Sequence, residues 1–208
     1  MDITYLGHAC FKITENGYSV IVDPYKSGSV PGLSPLNETA NQAVASHTHF
    51  DHFALDEISI TDGAENPFDM DVIDTFHDDK EGSLRGANKI SIFTSGDIKV
   101  VHMGDIGCMI SDEDMNKIKN CDILLIPVGG FFTIDANEAY EYVKAVNPGV
   151  VVPMHYRSDK FGYGEIATVE GFVSLFDAEQ VCSCGSSIKV EARNKDLKVM
   201  LMSPMNAR

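Results

Sequence analysis

The order of apolar patterns along the chain predicts a mixed α/β fold, with two β-sheets packed on each other and helices outside. Three observations carry this. The chain opens with short strand-like segments joined by tight turns, a meander. Two later runs, Ile123-Leu124-Leu125-Ile126 and Val150-Val151-Val152, are apolar without alternation, as strands buried on both faces are. Segments with apolar residues three and four apart alternate with those runs, the mark of amphipathic helices.

In chain order, Ile3 to Leu6, Cys10 to Ile13 and Ser19 to Val22 read as strands, the last two joined through Glu15-Asn16-Gly17, where Asn-Gly favours a hairpin. The Gly- and Pro-containing stretch from Tyr25 to Glu38 has no period and reads as a loop. Gln42 to Ser46 is a fourth strand, and Asp56 to Met70 is polar and irregular. Asp71 to Phe76 forms another strand, and Lys89 to Thr94 pairs with Ile98 to His102 through Ser95-Gly96-Asp97. A helix over Asp112 to Asn120, capped by Ser111 or Asp112, precedes the first buried run. A second helix, Ile134 to Val146, places Ala136, Ala139, Tyr140, Val143 and Val146 on one face and stops at Asn147-Pro148-Gly149. Thr168 to Phe176 is the last helix, and Ser187 to Glu191 and Leu197 to Leu201 close the chain as strands.

With 208 residues the chain is expected to form one domain, 1–208, burying roughly 70% of the surface its unfolded form exposes. Sixteen basic against 31 acidic side chains give a net charge of −15. Such a surface repels polyanions, so nucleic acid is not an expected partner. No charged start leads into an apolar run and no apolar stretch approaches a bilayer span, so neither a secretory leader nor a membrane anchor is expected and the cytoplasm is the default location. The five cysteines form no evident framework, which suits a reducing compartment. Cys182-Ser183-Cys184 lacks the second pair a structural zinc site needs and reads as small residues on a late strand.

The densest chemistry lies in His47-Thr48-His49-Phe50-Asp51-His52. Neighbouring imidazoles repel when protonated and cost desolvation energy when buried, and a bound cation removes both objections. Alternate residues of extended chain share a face, so His47 and His49 can grip one ion. A helix begun by Asp51 would send Asp51 and His52 toward a second ion.

His47-x-His49-x-Asp51-His52 resembles the signature of the metallo-β-lactamase superfamily. Further landmarks follow in the same order: His77 after a strand, Gly104-Asp105 after the next hairpin, and His155 after a buried strand. Leu6-Gly7-His8-Ala9, Val22-Asp23-Pro24, His77-Asp78, Arg85-Gly86-x-Asn88 and His102-x-Gly104-Asp105 are most similar to its branch of small stand-alone metal-dependent hydrolases. The resemblance implies a four-layer αββα sandwich. It also implies that His47, His49 and His77 hold one metal, that Asp51, His52 and His155 hold a second, and that Asp105 bridges them.

The ligand types agree with a catalytic site that keeps one position open, and zinc is the expected ion, with Mn2+ or Fe2+ as alternatives. Two cations about 3.5 to 4 Å apart would acidify a shared water into a hydroxide nucleophile, with Asp51 orienting it or accepting its proton. The expected reaction is hydrolysis of a small ester, lactone, thioester or phosphoester, with an anionic small molecule among the candidate substrates. An iron-dependent dioxygenase on the same fold is the alternative, and a nuclease a more distant one. His8 is either a donor lining the site or a structural histidine, Asp23 orients a ligand imidazole or caps a turn, and His102 supports or packs. Tyr156 donates to a leaving group or packs, and Arg85 anchors an anionic substrate if its loop faces the cleft. The oligomeric state is left open.

Overall fold

A computed structural model describes residues 1–191, 194 and 196–207. Its strands are β1 (Asp2–Gly7), β2 (Cys10–Glu15), β3 (Tyr18–Val22), β4 (Thr39–Ala40), β5 (Gln42–Val44), β6 (Ser59–Ile60), β7 (Asp69–Phe76), β8 (Ala87–Ser95), β9 (Ile98–His102), β10 (Ile123–Pro127), β11 (Val150–Met154), β12 (Val181–Cys184), β13 (Ser187–Lys189) and β14 (Lys198–Met202). The helices are α1 (Asp112–Ile118), α2 (Ala136–Val146) and α3 (Glu170–Val173), with a 3-10 turn at Leu55–Glu57. One sheet runs β13-β1-β2-β3-β5 and the other β12-β14-β11-β10-β9-β8-β7, while β4 and β6 make a separate short pair. Antiparallel hairpins build the first half of each sheet, and parallel pairs among β9, β10, β11 and β14 follow wherever a helix intervenes.

The predicted hairpin forms through Asn16 and Gly17, both with positive φ (50° and 82°), the geometry that Asn-Gly tolerates and that matches strand twist. Alternate residues of the first sheet, Ile3, Tyr5, Phe11, Ile13, Val20 and Val22, face Phe93, Val100, Leu125 and Val152 of the second and make the dry interior. Each such side chain contributes about 1.5–3 kcal/mol when fully withdrawn from water. A further apolar cluster joins Val101, Leu124, Ile126 and Val151 to Tyr142, Val143 and Val146 of α2. On the first sheet, Leu6, Cys10 and Ile21 are covered by Tyr25, Val30, Leu33 and Leu36, so the outer layer there comes from the long loop.

Four local expectations change. The fourth strand ends at Val44, because the Ser46 amide and hydroxyl are both taken by the Asp23 carboxylate at 2.6 and 2.7 Å. No helix starts at Asp51. Its carboxylate faces His8 rather than capping amides, and the His52 amide closes a turn onto the His49 carbonyl at 2.9 Å. The helix α2 starts at Ala136 instead of Ile134, since the Ile134 amide bonds Ile106 and Asp135 forms a reciprocal capping box with Glu138. The segment Thr168 to Phe176 has only one α turn, Glu170–Val173, flanked by tighter i→i−3 bonds, as Gly171, Val173 and Ser174 are weak helix formers. Phe172 and Phe176 nevertheless share one face, Phe176 meeting Tyr140 of α2 at 5.1 Å.

Beyond β9 the chain turns sharply at Gly104, whose φ is +57°. A Cβ there would run into Asn88 Oδ1 and lie 2.6 Å from the Ser46 Cβ. Gly96 shares the same φ with open space around it, which separates backbone strain from crowding. Gly104→Ala is therefore expected to destabilise by at least about 2 kcal/mol more than Gly96→Ala in urea denaturation, because rigid groups must move. Equal losses would show that the crowding carries no cost.

Candidate metal centre

The cluster sits at one end of both sheets, where strands stop and the next residue turns inward. His8 follows β1, Asp23 follows β3 and His155 follows β11, and all three adopt the left-handed region with φ of 59°, 52° and 52°. For residues with a Cβ this conformation costs about 1 kcal/mol or more, so tertiary contacts must hold it. The His8 carbonyl supplies two of them, accepting from the Tyr5 hydroxyl and from the His155 amide, both at 2.9 Å. His77 follows β7, and Asp105 follows the Gly104 turn, where its amide donates to Asn88 Oδ1 at 2.9 Å.

These routes converge on Asp105. Its Oδ2 lies 3.1 Å from Nε2 of His155, 3.2 Å from that of His52, 3.3 Å from that of His77 and 3.9 Å from that of His47. Ring nitrogens of His47, His49 and His77 lie within 4.8 Å of one another, and a second group, His8, Asp51, His52 and His155, meets the same limit. Six of the seven residues expected as ligands thus fall into two groups, and the seventh, Asp105, lies against both.

The tautomers are set by a buried relay. The Ser46 hydroxyl donates to Asp23 Oδ2 at 2.7 Å, so its lone pair faces His47 Nδ1 at 2.9 Å and receives that N–H. His52 Nδ1 donates to the same Asp23 oxygen at 3.0 Å. Both rings are therefore oriented with Nε2 toward Asp105, as carboxylates behind metal-binding histidines do. Asp23, read from the sequence as orienting an imidazole or capping a turn, lies behind both rings, touching His52 directly and His47 through Ser46.

A divalent cation fits this arrangement. His47 Nε2, His52 Nε2 and Asp105 Oδ1 are buried and have no hydrogen-bond partner, which would otherwise cost about 1–3 kcal/mol each. Ligand atoms around a tetrahedral ion at about 2.0–2.1 Å stand roughly 3.3 Å apart, close to three of the four Asp105 distances. Burial, and then His52, push the His47 imidazole down to about 3. Burial also resists charging His52, but Asp105 and Asp23 outweigh it and raise that imidazole well above its usual value. Burial favours the neutral acid at Asp105, yet His155 and His52 hold it well below the carboxylate range.

His8 joins the second group. Burial and His155 push it down to about 4, so the ring is neutral at pH 7, and its Nε2 lies 3.3 Å from Asp51 Oδ2. Asp51 stays ionised: burial opposes this, but the His8 hydrogen bond and the His52 charge prevail. His102 is wholly buried, with Nε2 donating to the Ala9 carbonyl at 2.8 Å and Nδ1 accepting the Gly104 amide at 3.1 Å, so its ring ties the Gly104 turn to the junction of β1 and β2.

Tyr156, read from the sequence as donating to a leaving group or packing, is placed in a packing position. It is buried against Phe161, at 5.7 Å between ring centroids, and does not line the cavity. The aromatic hydroxyl at the site belongs to Tyr163, whose ring edge meets His8 at 5.5 Å. Burial and the Asp51 charge keep that phenol protonated. The sequence offered no signal for Tyr163 or for Ser46. Arg85 does face the cleft, in a cavity of about 300 Å3 that it shares with Phe50, Leu84, Phe132 and Tyr163.

The sequence model of the β-lactamase superfamily domain matches residues 2–155. A protein of Aeropyrum pernix named UPF0173 metal-dependent hydrolase is 26% identical over 207 residues, covering 78% of this chain and 85% of its own. One of the same name from Carboxydothermus hydrogenoformans is 27% identical over 198 residues, covering 76% and 85%. The crystal structure of a candidate Zn-dependent hydrolase of the metallo-β-lactamase superfamily from Thermotoga maritima superposes with a TM-score of 0.77 at 30% identity, covering 97% of both chains. The chain belongs to the β-lactamase superfamily and has the metallo-β-lactamase fold.

Proposed function

We propose that the chain is a single-domain, cytoplasmic hydrolase that cleaves a small ester, lactone, thioester or phosphoester with two divalent cations, zinc in the first place. Membership of the superfamily and the names of the relatives, metal-dependent hydrolases, support hydrolysis with a bound metal. The observation that carries the finer reading is the convergence of four imidazole Nε2 atoms on one carboxylate oxygen of Asp105. His47, His49 and His77 would hold one ion, Asp51, His52 and His155 the other, and Asp105 both. Nitrogen and oxygen donors with room for water suit zinc.

When bound, such ions supply Lewis acidity toward a carbonyl or phosphoryl oxygen and lower the pKa of water. The chain's own groups do the rest. Asp51, ionised and partly open to the cavity, accepts the proton of the attacking water. His8 holds that carboxylate in place through Nε2. Asp23 and Ser46 keep His47 and His52 aimed. The Tyr163 hydroxyl, protonated beside Asp51, stands at the cavity as a donor. The net charge of −15 favours a small substrate over a nucleic acid.

Three variants test this. Asp51→Asn should keep its circular dichroism and melting temperature yet lose about 10³-fold in kcat/KM on nitrophenyl esters or phosphodiesters. Activity equal to the parent would remove Asp51 from the chemistry. His49→Ala should bind at least one metal equivalent less by elemental analysis, and an unchanged stoichiometry would contradict the ligand set. Asp23→Asn leaves every proposed ligand intact and should weaken metal affinity about 10- to 100-fold. Stoichiometric iron instead of zinc in the native protein, with oxygen consumed, would replace hydrolysis by an oxidase-type reaction.

A further inference from the structure

One cation at the mouth of the site has no part in the chemistry above. Arg85 lines the cavity beside His77 and Asp105. Its Nη2 donates to the Phe131 carbonyl at 2.8 Å, and its guanidinium carbon lies 5.8 Å from the Phe132 ring centroid. Among the described residues no carboxylate forms an ion pair with it, although the chain carries 31 acidic side chains. A carbonyl and an aromatic face hold the guanidinium without neutralising it, which leaves N–H donors for an external anion.

The loop below is built to keep it there. The buried Asp78 carboxylate accepts the amides of Lys80 and Gly82 on one oxygen, at 2.8 and 3.0 Å, and those of Leu84 and Arg85 on the other, at 3.0 and 2.7 Å. Four amides on one side chain fix the path of residues 78–85, so the arginine is pre-organised and little entropy is lost on binding. Around it the rim is apolar: Phe50, Leu84 and Phe131 are 62%, 68% and 62% exposed. The cavity, about 300 Å3, is at the small end of ligand clefts.

We propose that the substrate carries a terminal oxyanion, carboxylate or phosphate, that Arg85 binds, while a short apolar body lies against Phe50, Leu84 and Phe132 and the scissile group reaches Asp51 and Asp105. This rests on the hydrolase reading above and names its substrate class. A planar guanidinium suits bidentate pairing with either oxyanion. Because the protein as a whole repels anions, one positioned cation separates an anionic substrate from the others.

The test uses the zinc-supplemented protein and three non-hydrolysable amides that differ only at one end: neutral, carboxylate or phosphate. Isothermal titration should show an anionic amide binding about 10- to 100-fold tighter than the neutral one, the range of hydrogen bonds to charged groups. Arg85→Met should abolish that preference without altering affinity for the neutral amide, and Arg85→Lys should keep part of it. The amide that loses more affinity in Arg85→Met identifies carboxylate or phosphate as the natural group. Should Arg85→Met fail to fold, Arg85→Lys carries the same comparison. Equal binding of all three amides by the parent protein, or an equal loss for all three in the variant, would overturn the proposal. Hydrolysis of the matching esters is read separately. Arg85-dependent binding without turnover of any ester defeats the hydrolase reading alone, and turnover indifferent to Arg85 defeats this inference alone.

Discussion

Everything at the site depends on one buried carboxylate. Asp23 is fully enclosed, accepts the Ser46 amide and hydroxyl and His52 Nδ1, and through the hydroxyl reaches His47 Nδ1. Burial alone would favour its neutral acid, but the hydrogen bond and charge of His52 keep it ionised. Only an ionised carboxylate accepts from all three donors, and only then do two imidazoles from different proposed ion positions present Nε2 inward. The same contact ends the fourth strand at Val44, so the relay that aims the ligands also releases the loop that carries them.

The scaffold accepts local strain at this end. His8, Asp23 and His155 occupy left-handed backbone directly after three strands, and each bend swings a side chain off the sheet into the cluster. The hydrogen bond from the His155 amide to the His8 carbonyl ties the two sheets together at the site. Gly104 solves the same problem differently. There Ser46 and Asn88 press so close that no Cβ fits, and His102 Nδ1 and both amide atoms of Asn88 bond the turn that delivers Asp105. The apolar interior between the sheets, some of it from strands buried on both faces, is what makes such bends affordable.

Around this rigid floor the walls are of another kind. Phe50, Leu84, Phe131 and Arg85 come from loops, and the three apolar ones are exposed, as binding surfaces on loops commonly are. The loop of Leu84 and Arg85 is not slack, because Asp78 gathers four of its amides. The cluster below is held by buried hydrogen bonds and the loop above by a single side chain, so the loop can vary without disturbing the cluster.

Much of this was legible in the chain. The meander, the Asn-Gly hairpin, the two continuous apolar runs and α2 follow from local periodicity, because period reports which face of a segment is withdrawn from water. The crowding of His47, His49, Asp51 and His52 pointed to a cation on chemical grounds alone, and the ordered landmarks extended it to His77, Asp105 and His155. What sequence could not decide is which distant groups touch. The expected helix at Asp51 failed because that carboxylate meets His8, 43 residues away, instead of neighbouring amides. Tyr156 and Tyr163 lie on one loop with equal chemistry, and only its fold buries the first and brings the second to the cavity. Ser46 gained its role from Asp23, and Arg85 its orientation from Phe131 and Asp78. Local pattern is set by burial of a segment's own faces, whereas hydrogen-bond partners are chosen by the packing of segments remote in the chain, and that choice exists only in the tertiary structure.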